Sequence, residues 1–297
     1  MTDFRVPEQL AVPVRGGDLA VLHWAAEQPG APVVVLVHGI TGNGLSWARV
    51  AGALGTDVEV FAPDLRGRAA SAGLPGPYGI QSHAEDVTAL LDAVGAPQAV
   101  LVGHSMGGFV VAVAAAGAAR DRVRGVVLVD GGLPFPDLPG ADAQAKLAAV
   151  LGPALDRLAL TFPDLPAVRA FWAQHPAVGP WVDVPSVAAY LGRDVVPAEG
   201  GLRSACVPDA VSVDGGEFLT DERVYRATEH LPVPATLLWA PRGLLDQTPG
   251  LYDEQRLAGP ERSGLAVRLV PDTNHYSILW AEQGVTAISE AVRAAVG

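Results

Sequence analysis

The chain has 297 residues, with 20 Lys and Arg against 32 Asp and Glu, a formal charge of −12 and a single cysteine. That length supports one large domain or two small ones, with a core that needs no covalent staples. The acidic balance argues against a nucleic-acid partner, which needs clustered cations, and the lone Cys206 excludes an internal disulfide and any cysteine-rich metal site. Residues 1–10 lack the basic start and apolar run of a signal peptide. No run approaches the roughly 18 apolar residues of a membrane span. The expectation is a soluble, cytoplasmic protein with no membrane partner.

In chain order, residues 19–24 predict an antiparallel edge strand. Val33–Val37 is an uninterrupted apolar run, the signature of a strand buried on both faces. Residues 58–62, 99–102, 126–129, 236–239 and 265–270 read the same way. Helical patterns lie between them, near 47–54, 83–94, 106–119 and 282–296. Alternation of this kind predicts an α/β protein with a mostly parallel, doubly wound sheet. It breaks between 133 and 232, where the chain is Pro-rich and shows helical patterns near 142–151, 165–174 and 221–229. The reading is a core of residues 1–132 and 232–297, with 133–231 inserted as a helical cap.

Gly103-His-Ser105-Met-Gly107 follows the strand at 99–102 and opens the helix from Met106. This is the setting of a nucleophile elbow, a strained turn that needs small residues on both sides of the Ser. An acyl-transfer site also needs two N–H donors for the oxygen that gains charge. Met106 supplies one; the loop His38-Gly-Ile40-Thr-Gly42 supplies the other, best placed at Ile40. His38 could act as a base but fits better as a residue that shapes this loop. The expected base is His275, in the loop after the last strand. His23, His83 and His104 are its rivals, while His175 and His230 fall in the insertion and are expected at the surface.

Together these features resemble the α/β-hydrolase superfamily along nearly the whole chain. Ala62-Pro-Asp64-Leu-Arg66-Gly-Arg68, followed by Ser71, resembles a loop of that family, except that Ala69 stands where Gly is usual. The resemblance implies an eight-stranded sheet with a cap, Ser105 as nucleophile, His275 as base, and Ile40 and Met106 as oxyanion donors. The acid that orients the His stays open between two residues. Asp246 follows the strand at 236–239, the commoner place, but after a longer loop than usual. Asp130 ends the strand at 126–129, beside Gly131-Gly132, which would leave room for His275.

A Ser nucleophile favours cleavage of esters, thioesters, lactones or amides over the Asp-dependent reactions of related dehalogenases and epoxide hydrolases. The sequence therefore predicts a serine hydrolase of small-molecule esters or lactones that uses no metal and no cofactor. Haloperoxidase-like chemistry, acyl transfer and non-catalytic ligand binding are the alternatives. Cap aromatics could line the pocket, though most should form the cap's own core. Trp47 should pack beneath the site, and Cys206 should be an inert thiol.

Overall fold

Val33–Val37, the apolar run, is β3, a central strand. Val35 and Val37 enter one hydrophobic layer, and Val34 and Leu36 enter the other. The computed structural model describes residues 4–134, 145, 148, 152, 155–257 and 265–297. The helix expected at 142–151 lies outside them except for Ala145 and Ala148. Around β3 the chain forms β1 (Glu8–Val14), β2 (Gly17–Trp24), β4 (Glu59–Pro63), β5 (Ala99–His104) and β6 (Val123–Val129). After β6 come three short strands, β7 (Thr161–Phe162), β8 (Val195–Ala198) and β9 (Gly201–Ser204). The chain then returns through β10 (Ala235–Trp239) and β11 (Leu265–Leu269). The main sheet has eight strands in the order β1-β2-β4-β3-β5-β6-β10-β11, with β2 antiparallel to both its neighbours and the others parallel.

Helices cover both faces. α1 (Ala48–Leu54) and, near the end of the chain, residues Glu282–Val296 bury Val50, Leu54, Ile288 and Val292 on one side. α2 (Ile80–Ala93) and α3 (Met106–Ala116) lie on the other. Helices between β6 and β10 include α4 (Leu165–Ala173), α5 (Pro185–Arg193), α6 (Pro208–Thr220) and α7 (Glu222–Glu229); the chain closes with α8 (Glu282–Val296). α3 is apolar nearly all round, as a helix buried on every side must be. Its outer side is covered by Phe218 of α6 and Tyr225 of α7, with ring centroids 5.5 and 6.5 Å from Phe109.

Three expectations are corrected. The strand at 19–24 is not at the edge, because β1 pairs outside it. β1 escaped prediction because Pro13 interrupts it, which only an edge strand tolerates. The run at 265–270 is not buried on both faces: β11 ends the sheet, with Val267 45% and Leu269 40% exposed. The segment between β6 and β10 is not purely helical, since β7, β9 and β8 pair antiparallel in a small sheet. Among the described residues no helix is long and apolar enough to cross a membrane.

The elbow depends on backbone approaching backbone. A Cβ on Gly103 would lie 2.1 Å from the Gly107 carbonyl oxygen, and one on Gly107 would lie 2.2 Å from that of Val37. Gly107→Ala must therefore push α3 off β3, and we expect it to lower unfolding free energy by about 1–3 kcal/mol. Urea denaturation measures this; an unchanged midpoint would contradict the packing.

Candidate active site

Ser105 joins β5 to α3 with φ 54° and ψ −123°, a strained conformation for a non-glycine residue. Its N–H donates to Val129 O at 3.0 Å, and its own carbonyl accepts from Gly108 N at 3.0 Å. The side chain is thereby held above the carboxyl ends of the strands, beside the N–H groups of the first turn of α3. A Cβ on Gly39 would sit 3.1 Å from Ser105 Cβ and 3.5 Å from its Oγ, so glycine at 39 keeps the space beside the hydroxyl open.

The loop after β3 is set by His38. Its Nδ1 donates to Gly39 O at 2.7 Å, and its Nε2 accepts from Leu65 N at 3.0 Å. A trans peptide carries its N–H opposite its C=O, so pinning the Gly39 carbonyl turns the Ile40 N–H away from the His38 ring. Gly42 N also donates to Gly39 O, at 3.0 Å. From below, Arg68 Nε donates to Ile40 O at 2.9 Å. Arg68 is fully buried and ion-paired with Asp214 of α6, whose other partners are His83 Nε2 at 2.8 Å and Gly79 N at 2.6 Å. Ala69 adopts φ 41°, which explains why glycine is usual at its place.

His275 Nδ1 donates to Asp130 Oδ2 at 2.6 Å, with the carboxylate fully buried and the imidazole nearly so. Asp130 has φ 43°, donates its N–H to Leu238 O at 2.7 Å and accepts from Ala240 N on Oδ1 at 3.0 Å. Asp246 is elsewhere. Its Oδ1 accepts from Arg242 Nε and from Asn274 Nδ2, each at 2.8 Å, so it ties the loop after β10 to the loop carrying His275. The glycines after Asp130 do not make room for the imidazole. A Cβ on Gly131 would meet Ser105 O at 2.2 Å, and one on Gly132 would meet Leu128 Cδ2 at 2.9 Å and the Gly108 carbonyl carbon at 3.0 Å, so they admit the elbow itself.

Ser105, His275 and Ile40 line one cleft with a cavity volume of about 40 Å³, together with Ser46, Tyr190, Leu244, Tyr276 and Trp280. Met106 is buried at the start of α3, directly after the hydroxyl. His104 Nε2 donates to the carbonyl of His275 at 2.8 Å and its ring lies 4.6 Å from that imidazole, tilted by 38°, so it supports the loop. Trp47 is fully buried, edge-on to His104. Of the other histidines, His83 is taken by Asp214 and His23 pairs with Glu59 on β4. His230 is exposed after α7. His175 is not a surface residue as expected, because it packs against Trp172 and Tyr276. Phe171 packs edge-to-face against both Phe162 and Trp172, and none of the three lines the cleft. Burial pushes the Cys206 thiol up to about 12, with Asp194 adding to the shift. A larger groove of about 480 Å³ opens near His23, Glu59 and Phe61, by the amino end of β3 and away from Ser105. Among the described residues no group of three His, Cys, Asp or Glu is placed to hold a metal ion.

Residues 32–281 match the alpha/beta hydrolase fold family. The chain belongs to that family. It is 27% identical to 2-(acetamidomethylene)succinate hydrolase of Mesorhizobium japonicum over 84% of each chain. It is 37% identical to lipase LipV and 40% identical to epoxide hydrolase A, both of Mycobacterium tuberculosis, over 44% and 35% of this chain. Those matches cover 48% and 33% of the two relatives, so the chain spans half or less of their length there. Among solved structures, an E-2-(acetamidomethylene)succinate hydrolase superposes with a TM-score of 0.79 at 23% identity, covering 97% of this chain and 99% of that one. A thioesterase domain from the curacin biosynthetic pathway gives 0.75 at 20% identity, covering 97% and 100%.

The buried rings have a consequence for stability. Burial drives His38 down to about 3 against the favourable bond to Gly39, and the Arg68 charge lowers it further. Burial, then the neighbouring His275, holds His104 well below its ordinary value. Both rings are neutral in the folded chain but take a proton in the unfolded chain below about 6.5. Their contribution is complete above that pH and is lost as the pH falls, by about 1.4 kcal/mol per pH unit for each ring. Asp214 is held down to about 2 by His83 and Arg68, which outweigh the effect of its burial, so it adds its own loss only below about 4. Urea unfolding between pH 6 and 4.5 should show this decline; a flat profile would contradict it.

Proposed function

We propose that this chain is a hydrolase that cleaves carboxylic esters or lactones through an acyl-enzyme on Ser105. The observation that carries the reading is the 2.6 Å bond from His275 Nδ1 to Asp130 Oδ2 in a cleft that Ser105 shares. With Nδ1 donating to the carboxylate, Nε2 is the free basic nitrogen. It takes the Ser105 proton as Oγ bonds to the acyl carbon. The carbonyl oxygen becomes an oxyanion facing the N–H groups of Ile40 and Met106. Collapse of this intermediate breaks the bond to the alcohol oxygen, which leaves with the proton from His275. Water then adds to the acyl carbon with His275 again as base, releasing the acid and restoring Ser105. Asp130 fixes the tautomer and stabilises the imidazolium in both halves. Asp246, engaged with Arg242 and Asn274, has a positioning role in this account.

A second reading, amide cleavage on the same residues, is favoured by the match over 84% of each chain to 2-(acetamidomethylene)succinate hydrolase. The chemistry differs only in that His275 must protonate a leaving amine.

Ser105→Ala should lower turnover of p-nitrophenyl esters by roughly 10⁶-fold, and Asp130→Asn by about 10⁴-fold. Asp246→Asn should retain turnover within about tenfold, since it keeps an acceptor for Asn274. Steady-state kinetics beside matched anilides separate ester from amide cleavage. Hydrolysis that survives in Ser105→Ala, or a larger loss in Asp246→Asn than in Asp130→Asn, would overturn the assignment.

A further inference from the structure

Ser46 is a polar residue of the cleft that the mechanism above does not use. Ser46 lies in the turn Gly44–Trp47, is 5% exposed and lines the cleft, and its Oγ has no hydrogen-bond partner. A buried hydroxyl left unpaired is unfavourable, so a fold retains one where something else satisfies it. The position is firmly built. Ser46 N–H donates to Asn43 O at 3.1 Å, Asn43 Oδ1 accepts from Leu45 N at 3.0 Å, and Asn43 Nδ2 donates to Tyr190 O at 3.0 Å. Asp64 accepts from Gly44 N at 2.8 Å and from Arg193 Nε at 2.9 Å. One carboxylate therefore fixes both the turn that bears Ser46 and α5, the helix that bears Tyr190.

The cleft also lacks formal charge. Among the described residues its lining includes no Lys, Arg, Asp or Glu. The charge of each guanidinium near it is met by a carboxylate, Arg68 by Asp214, Arg193 by Asp64, Arg157 by Asp194 and Arg242 by Asp246, although Arg68 Nη2 and Arg157 Nε have no hydrogen-bond partner of their own. A carboxylate entering this cleft would lose its hydration without gaining a free cation. Tyr190 and Trp280, 5.8 Å apart at their ring centroids, add flat apolar walls.

We propose that Ser46 is the hydrogen-bonding group of an acyl subsite, walled by Tyr190 and Trp280, for uncharged acyl chains that carry an oxygen substituent. The inference rests on Ser105 acting as the nucleophile. The leaving oxygen must then face His275 to receive its proton, which directs the acyl chain across the oxyanion loop toward the turn at 44–47. A keto-acyl or hydroxy-acyl ester satisfies the Ser46 hydroxyl and leaves no buried charge. A dicarboxylic acyl group does not.

The test compares three p-nitrophenyl esters of similar length: 4-oxopentanoate, pentanoate and hemisuccinate. In wild type, kcat/KM for 4-oxopentanoate should exceed that for pentanoate by about fivefold to tenfold, the range one neutral hydrogen bond supports. It should exceed that for hemisuccinate by on the order of a hundredfold. Ser46→Ala should bring the 4-oxopentanoate to pentanoate ratio close to one, and Ser46→Thr, which keeps the hydroxyl, should preserve most of it. Removing an unpaired hydroxyl should leave the urea midpoint of Ser46→Ala equal or higher, so loss of folding does not obscure the ratio. A ratio that survives in Ser46→Ala, or hemisuccinate cleaved as fast as 4-oxopentanoate, overturns the proposal. If wild type cleaves none of the three, the Ser105 reading fails. The subsite is then decided by titrating Ser105→Ala with methyl 4-oxopentanoate and methyl pentanoate, following tryptophan fluorescence. Preference for the keto ester, lost on adding Ser46→Ala, supports it; equal affinities overturn it.

Discussion

The hydrogen bond from His275 to Asp130 joins segments 145 residues apart, and the geometry of the cleft follows from it. It forms because β6 and β10 are neighbours. Asp130 donates its N–H to Leu238 and accepts from Ala240 N, so both its backbone and its second oxygen belong to the adjoining strand. Little freedom remains in the carboxylate, and His275 is held by a group that cannot turn away. The positive φ of Asp130 and of Ser105 is the conformational cost, on the order of 1–3 kcal/mol each, sustained by the packing around them. Gly103, Gly107 and Gly131 allow that packing, since a methyl group at any of them would penetrate neighbouring backbone.

Around this bond the protein lines the cleft with neutral polar groups and sets buried, paired charges behind them. His38 and His104 are buried rings kept uncharged, each spending its nitrogens on backbone: Gly39 and Leu65 for one, His275 for the other. They act as rigid hydrogen-bonding spacers. Arg68 anchors the same loop from beneath, and its charge is met by Asp214 from the segment between β6 and β10. Backbone N–H groups exert their strongest effect where no mobile charge or bulk water competes with them. The loop after β3 is therefore linked to α6, and distortion of the segment between β6 and β10 should be felt at Ile40.

Much of this is legible in the sequence. Continuous apolar runs mark strands buried on both faces, and glycine on each side of Ser105 marks the elbow, because both patterns are local. β1 was not legible, since Pro13 breaks its pattern, and β7 to β9 are too short to show a period. The exposure of β11 was hidden for another reason: an apolar run does not reveal whether its strand ends the sheet. The choice between Asp130 and Asp246 could not be made from spacing at all. It depends on which carboxylate the inter-strand hydrogen bonds aim at His275, and Asp246 is drawn aside by Arg242 and Asn274. Ser46 and Leu244 give no signal because each contributes one group from a separate segment, whereas Tyr190 is one of the aromatics between β6 and β10 that the sequence offers for the pocket.

The most direct test of the link between His275 and Asp130 is nitrogen-resolved NMR of the imidazole in ¹⁵N-labelled protein. The account predicts a strongly downfield Nδ1 proton on His275 that persists in Asp246→Ala and disappears in Asp130→Ala. A resonance that survives loss of Asp130 and vanishes with Asp246 would contradict it.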